Sequence, residues 1–279
     1  MTGPQNKLKG RQPAYVQAHG SGRLDQAVRR FREMSAPCIV CPRKCRVNRL
    51  NNETGYCGIG RRAGVASSSL HFGEEKPLRS RGGSGTVFFA GCNLGCVFCQ
   101  NQDISAKPAD WPALDPQDLA CIFLELQSAG AENINLVTPS HVILPILEAL
   151  STAAEKGLRI PLVYNTGSYD RLSTLALLEG IVDIYLADAK FFHTQHAQRF
   201  AAAADYPETA RKAIQEMNRQ AGPLVLDSRG IAIKGLMIRH LVMPGNLAGS
   251  DQWLDFFAAE LPADTYINIM GQYHPAGQA

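Results

Sequence analysis

From Thr86 onward, short apolar runs alternate with segments of helical periodicity, and this alternation restricts the fold more than any other feature of the sequence. Apolar runs begin near Thr86 (TVFF), Asn133 (NINLV), Pro161 (PLVYN), Ile181 (IVDIYLA), Leu236 and Tyr266. Between them, residues 116–129, 141–156, 169–179, 207–221 and 250–260 carry helical patterns, the first with Pro116 suited to an opening turn. Leu224–Leu226 and Ile231–Ile233 flank Asp227–Gly230, which suggests a hairpin. Strand, helix and strand in succession imply parallel pairing with right-handed crossovers. Six such strands fall short of the eight that close a (β/α)8 barrel. The expected fold class is therefore α/β, an open partial (β/α)6 TIM-like barrel.

Ahead of the barrel, three stretches differ in character. Residues 1–20 are polar, with Gly and Pro, and predict a disordered tail. Residues 22–34 place Leu24, Ala27, Val28, Phe31 and Met34 at helical spacing, as in a helix that docks on the main body. A cysteine-rich segment, Cys38 to Cys57, then leads into Gly- and Ser-rich sequence up to Gly85. The expected organisation is a tail over 1–20, a helix and metal-binding segment over 21–84, and the barrel over 85–279. Little chain follows the last strand, so we expect a native tail beyond Ala279.

The chain of 279 residues is long enough to bury one substantial core. Its 28 basic and 25 acidic side chains leave a net charge of +3, which points to no polyanionic partner and no nucleic acid. Of two short basic stretches, Arg29, Arg30 and Arg32 are expected to be solvated. Arg43, Lys44, Arg46 and Arg49 lie inside the cysteine cluster and are either solvated or a basic surround for an anionic metal–thiolate centre. No apolar run approaches the roughly 20 residues that span a bilayer. With no secretory signal pattern either, the expected location is cytoplasmic, off the membrane.

Seven of the eight cysteines fall in two tight groups. In a reducing compartment such groups indicate metal or redox chemistry rather than disulfides. Cys92, Cys96 and Cys99 are spaced C-x3-C-x2-C directly after the first barrel strand, at the end where parallel α/β folds place their sites. Three thiolates can hold three corners of a cubane cluster and leave the fourth iron open to a small molecule. Gly91 and Gly95 let the backbone curl around the sulfurs. A structural zinc would need a fourth Cys or His. The loop contains no His, and Cys121 is expected on the apolar face of the next helix as a small buried residue. Cys38, Cys41, Cys45 and Cys57, spaced C-x2-C-x3-C-x11-C, suit either structural zinc or a second iron–sulfur cluster. A structural role is slightly favoured, because a segment with little core of its own gains from a metal.

With these residues, the sequence resembles the radical S-adenosylmethionine (SAM) superfamily, and more closely the iron–sulfur proteins related to pyruvate formate-lyase activating enzymes. The resemblance runs from about Cys38 to the C-terminus. It implies a 4Fe–4S cluster on Cys92, Cys96 and Cys99, with SAM chelating the open iron. One electron from the cluster would cleave SAM to a 5′-deoxyadenosyl radical, which takes a hydrogen atom from a protein or small-molecule substrate. Installing a glycyl radical on a partner protein is one form of that chemistry, with flavodoxin or ferredoxin as the electron donor. The alternative is an iron–sulfur binding or electron-transfer protein without SAM turnover.

The resemblance also assigns site residues. Phe98 matches the aromatic position beside the adenine, and Asn165 in YNTGSYD matches a polar SAM contact. Asp188 and Lys190 in LADAKFF match a pair near the SAM ribose and carboxylate, and Arg239 is a candidate partner for that carboxylate. Activating enzymes usually end the second strand in a Gly-Gly-Glu-type motif that binds the SAM amino group. Here that strand ends Val137-Thr138-Pro139-Ser140-His141, so Thr138, Ser140 and His141 become candidates. A Gly73-Glu74-Glu75 run precedes the cluster and reads as out of place for this role. His240, Tyr273 and His274 are candidates for the barrel mouth. Arg239 and His240 alternate on one strand, so one of them should face outward or into packing.

Overall fold

A computed structural model describes residues 12–279. The expected disordered tail lies partly outside these residues. Its later part is ordered: α1 (Ala14–Gly20) is a helix that buries Tyr15 and Ala18, with the Tyr15 hydroxyl donating to the Ile160 carbonyl at 3.0 Å. The sequence conceals α1 because only two of its seven residues carry the packing. α2 (Arg23–Glu33) follows and buries Leu24, Ala27 and Phe31, the docking face expected from its periodicity.

β1 (Ala63–His71) and β2 (Ser84–Phe89) come next. Beyond the cysteine loop lie α3 (Gln102–Ala106), β3 (Ala113–Leu114) and α4 (Pro116–Ser128). β4 (Ile134–Val137), α5 (Ile143–Glu155), β5 (Leu162–Thr166), α6 (Leu172–Leu178) and β6 (Ile184–Ala189) continue the alternation. Two helices follow, α7 (Thr194–Ala201) and α8 (Tyr206–Ala221). The chain ends with β7 (Val225–Leu226), β8 (Ala232–Leu241), α9 (Ser250–Glu260) and β9 (Tyr266–Met270).

The fold is mixed α/β around one nine-stranded sheet. β2, β4, β5, β6, β8 and β9 pair in parallel, each with the next in chain order. β7 and β8 form the antiparallel hairpin expected around residues 227–230. β1 adds antiparallel to the outer edge of β2 and carries β3 beyond it. The sequence hides β1 because its exposed centre is Ser67-Ser68-Ser69, without the β-branched residues that mark a strand.

Side chains alternate between the two faces of each strand. One face, with Val87, Ile134, Leu136, Tyr164, Tyr185, Leu236 and Ile238, joins the main core under the helices. The other face carries a smaller apolar cluster of Leu78, Val163, Ile184, Leu186, Ala232 and Met237. Two residues on from these strand positions, the same face turns polar with Asn165, Asp188 and Arg239. No helix among the described residues is long and apolar enough to cross a membrane.

Candidate functional site

The cysteine loop begins where β2 ends. Gly91 turns with φ +76, and a Cβ there would lie 2.4 Å from the Cys57 carbonyl oxygen. Only glycine allows the two cysteine segments to meet this closely. Two further contacts interlock them. Arg43 Nε donates to the Asn93 carbonyl at 2.8 Å, while its Nη1 donates to the carbonyl of Ala202 at 2.6 Å. A Cβ on Gly95 would lie 2.5 Å from the Tyr56 hydroxyl. Arg43 thus binds the last carbonyls of α7, where a cation is favoured, and stacks over Tyr56 at 3.8 Å.

Donors already face the sulfurs. Leu94 N donates to Cys92 Sγ at 3.3 Å, and Ser105 Oγ lies 3.4 Å from Cys99 Sγ. Burial pushes the Cys92 thiol up to about 12, the neighbouring Cys96 adding to it. Cys96 rises to about 11, again by burial, with Lys190 pulling it back. Thiols of this kind release protons to an incoming metal.

Cys38, Cys41, Cys45 and Cys57 line one cavity with Val40, Val47, Arg43, Arg49, Asn93 and His141. Tyr56 N donates to Cys45 Sγ at 3.3 Å. Among the described residues no three Cys, His, Asp or Glu side chains converge on a single metal-ion position. The four-cysteine group supplies thiols around a space rather than a tight grip on one ion.

A polar cluster occupies the ends of the adjacent strands. Asp188 on β6 accepts from Lys190 Nζ and from Arg239 Nε, each at 2.8 Å. Arg239 Nη2 reaches Asn165 Oδ1 at 2.8 Å. Burial alone would raise the Asp188 carboxyl, but the Arg239 and Lys190 charges outweigh it and hold the group at about 2. Desolvation opposes the Lys190 charge, yet Asp188 and Cys96 keep it well above its ordinary value. A Cβ on Gly167 would meet Lys190 Cε at 3.3 Å and Leu94 Cδ1 at 3.1 Å. The lysine stem and Leu94, which lies between Cys92 and Cys96, thus flank the same glycine. Phe98 packs edge-on to Phe191, with ring centroids 5.6 Å apart.

The structure also corrects the reading of Gly73-Glu74-Glu75. The connection from β1 to β2 crosses the polar face of the sheet. Glu74 accepts from Asn135 Nδ2 at 2.7 Å and from Arg239 Nη1 at 3.2 Å. Glu75 accepts from Asn268 Nδ2 at 2.8 Å and from the Tyr266 hydroxyl at 3.2 Å. These carboxylates precede the cysteine loop in sequence, and the fold brings Glu74 to Arg239 in the polar cluster and Glu75 to β9. An acidic pair in an otherwise Gly- and Ser-rich connection was the available signal.

The remaining candidates separate. Thr138 sits at the end of β4 in the left-handed region, φ +58, its N–H donated to the Asn165 carbonyl at 2.8 Å. Ser140 is drawn away from the polar cluster: its Oγ meets Thr166 Oγ1 at 3.3 Å, in a buried knot with Asp170 and Tyr164. His141 turns to the four-cysteine cavity and contacts the Ala90 carbonyl through Nε2 at 2.8 Å. Burial lowers its imidazole to about 4. His240 faces into packing, held by the Ala189 carbonyl and Ser250 Oγ, each at 2.8 Å. Cys121, expected to be buried, is exposed. The buried face of α4 is Leu119, Ala120, Phe123 and Leu126, and the helical step carries position 121 past it.

Fold and site define an α/β protein with a thiol-rich loop and a charged cluster at neighbouring strand ends. No family model matches the chain. It is 31% identical over 265 residues to the uncharacterized protein MJ0674 of Methanocaldococcus jannaschii, covering 92% of this chain and 71% of that protein, and it belongs to that protein's family. Among solved structures it is similar to Streptococcus suis SuiB, crystallised with the precursor peptide SuiA, at 14% identity and a TM-score of 0.43. That match covers 61% of this chain and 35% of the SuiB chain, so the chain spans about a third of the neighbour's length.

Proposed function

We propose that the chain is a radical SAM enzyme whose 4Fe–4S cluster sits on Cys92, Cys96 and Cys99, in a partial (β/α)6 barrel. The observation that carries this reading is the three-thiol loop leaving β2 beside Lys190, Asp188, Arg239 and Asn165 at the neighbouring strand ends. The sequential order of six parallel strands supports the partial barrel. Three thiols suit three corners of a cluster, and no fourth Cys or His lies within the loop. When bound, cluster and SAM supply reductive C–S cleavage and a radical able to take a hydrogen atom from substrate.

The residues of this chain would bind and orient. Lys190 lies against the cysteine loop and presents a cation for a carboxylate. Asp188 fixes Lys190 and Arg239 in place, and Glu74 fixes the far side of Arg239. Phe98 offers an apolar edge for a base, and Thr138 a strand-end contact. Ser140 and His141, engaged elsewhere, leave the amino group of SAM to Thr138 and the strand-end carbonyls. An activating role toward a glycyl-radical enzyme, with a flavodoxin or ferredoxin as donor in the cytoplasm, is the form of the reaction we favour.

The test is an EPR spectrum of anaerobically reconstituted, dithionite-reduced protein, recorded with and without SAM. A SAM-induced change together with 5′-deoxyadenosine release is the expected result. A cluster signal indifferent to saturating SAM would favour an electron-transfer protein without SAM turnover.

A further inference from the structure

We propose that Cys38, Cys41, Cys45 and Cys57 hold a second iron–sulfur cluster, fully ligated by the protein and in electron-exchange contact with the Cys92 loop. Zinc at this position would need thiolates at about 2.3 Å from one ion, hence sulfurs within about 4 Å of each other. The four thiols instead surround a cavity, and no three of them converge on one ion position. Four thiols around one cavity suit a cluster ligated only by the protein.

The cavity is built for an occupant. His141 lines it with only 1% of its surface exposed, and His141 Nδ1 is buried without a hydrogen-bond partner. Nε2 carries the proton that meets the Ala90 carbonyl, so the neutral ring forms an uncharged part of the cavity wall. Arg43 and Arg49 stand in the wall, where they offset the charge of an anionic thiolate cluster. A Cβ on Gly55 would meet Cys45 Sγ at 2.8 Å, so glycine is needed for the chain to close around that sulfur.

The two centres share a wall. Asn93, next to Cys92, lines the four-cysteine cavity. The Cys57 carbonyl meets Gly91, next to Cys92 on the other side. With both clusters bound, a single electron would pass from the reduced second cluster, oxidised by one, to the oxidised first cluster, reduced by one. A low-potential one-electron donor, of the flavodoxin class in the cell or dithionite in a tube, restores the second. The inference rests on the radical SAM reading only for the identity of the acceptor.

Iron, acid-labile sulfide and zinc are to be measured on the full chain after anaerobic reconstitution. Three forms are compared: wild type, Cys92→Ala/Cys96→Ala/Cys99→Ala, and Cys38→Ala/Cys41→Ala. We expect about eight irons in the wild type and about four in the triple variant if both clusters are cubanes. The triple variant should keep a dithionite-induced EPR signal that ignores SAM. One zinc and no iron in the triple variant would overturn the proposal. If that variant does not fold, wild-type protein carrying one zinc and half the iron does the same. No iron at all in Cys38→Ala/Cys41→Ala, with about four irons in both the wild type and the triple variant, would sink the first-cluster reading and leave the second standing. Electron exchange is read from the fully reduced wild type, whose spectrum should be broadened by coupling. A spectrum equal to the sum of the two variants' spectra would rule out contact between the centres.

Discussion

Asp188 lies between two cations and is the residue on which the charged cluster depends. Removing its charge in Asp188→Asn leaves Lys190 and Arg239 close together and largely buried. Breaking a buried pair from one side costs about 3–5 kcal/mol, so a large drop in the urea midpoint is expected at neutral pH. Its carboxyl is held at about 2, below the ordinary aspartate value. The stabilisation is therefore present above about pH 4 and lost as pH falls through about 2. Denaturation series at pH 7 and pH 2.5 should show the gap between wild type and Asp188→Asn narrowing. Glu74→Gln turns one of the three acceptors around Arg239 from a charged carboxylate into a neutral amide. We expect it to weaken SAM binding several-fold while cluster content stays constant, measured by SAM titration of the EPR signal.

Among the elements, the connection between β1 and β2 does more than join two strands. Leu78 is fully buried in the smaller apolar cluster, while Glu74 and Glu75 reach across three strands. Truncation in Leu78→Ala should cost about 2–5 kcal/mol, checked by chemical denaturation. Much of the alternating framework was legible because each buried strand is a short apolar run between helical patterns. The cysteine spacing was equally plain. What escaped was the non-local part. Glu74 meets Arg239 across 165 positions of sequence, and no local pattern encodes that contact. Ser140 and His141 were read from their place after β4, but two adjacent residues leave a strand end in different directions. One joined the Asp170 knot and the other the neighbouring cavity.

At the scale of the whole molecule, most of the main core lies between the sheet and its helices, and only its edge, with Cys38, Val40 and Leu94, reaches the thiol sites. Stripping metal from a loaded sample with an anaerobic chelator should therefore spare most of the far-UV circular dichroism. The segment 38–57 has little core of its own and should become the first site of proteolytic cleavage. Wholesale loss of secondary structure on chelation would contradict this division. Conversely, Gly91→Ala introduces a Cβ 2.4 Å from the Cys57 carbonyl at a left-handed turn. It should lower iron content at both sites together, since the loops share that contact.

The grip of Arg43 on Asn93 and Ala202 has a consequence for biogenesis. A ribosome delivers Cys38 through Cys57 long before Ala202 emerges, so this arginine has Asn93 early but waits through most of synthesis for its second acceptor. The Ala202 carbonyl arrives only with the end of α7, after four of the six parallel strands have been made. Maturation of the thiol sites is thereby a late event, and a nascent chain halted before Ala202 should leave its first four cysteines open to alkylation.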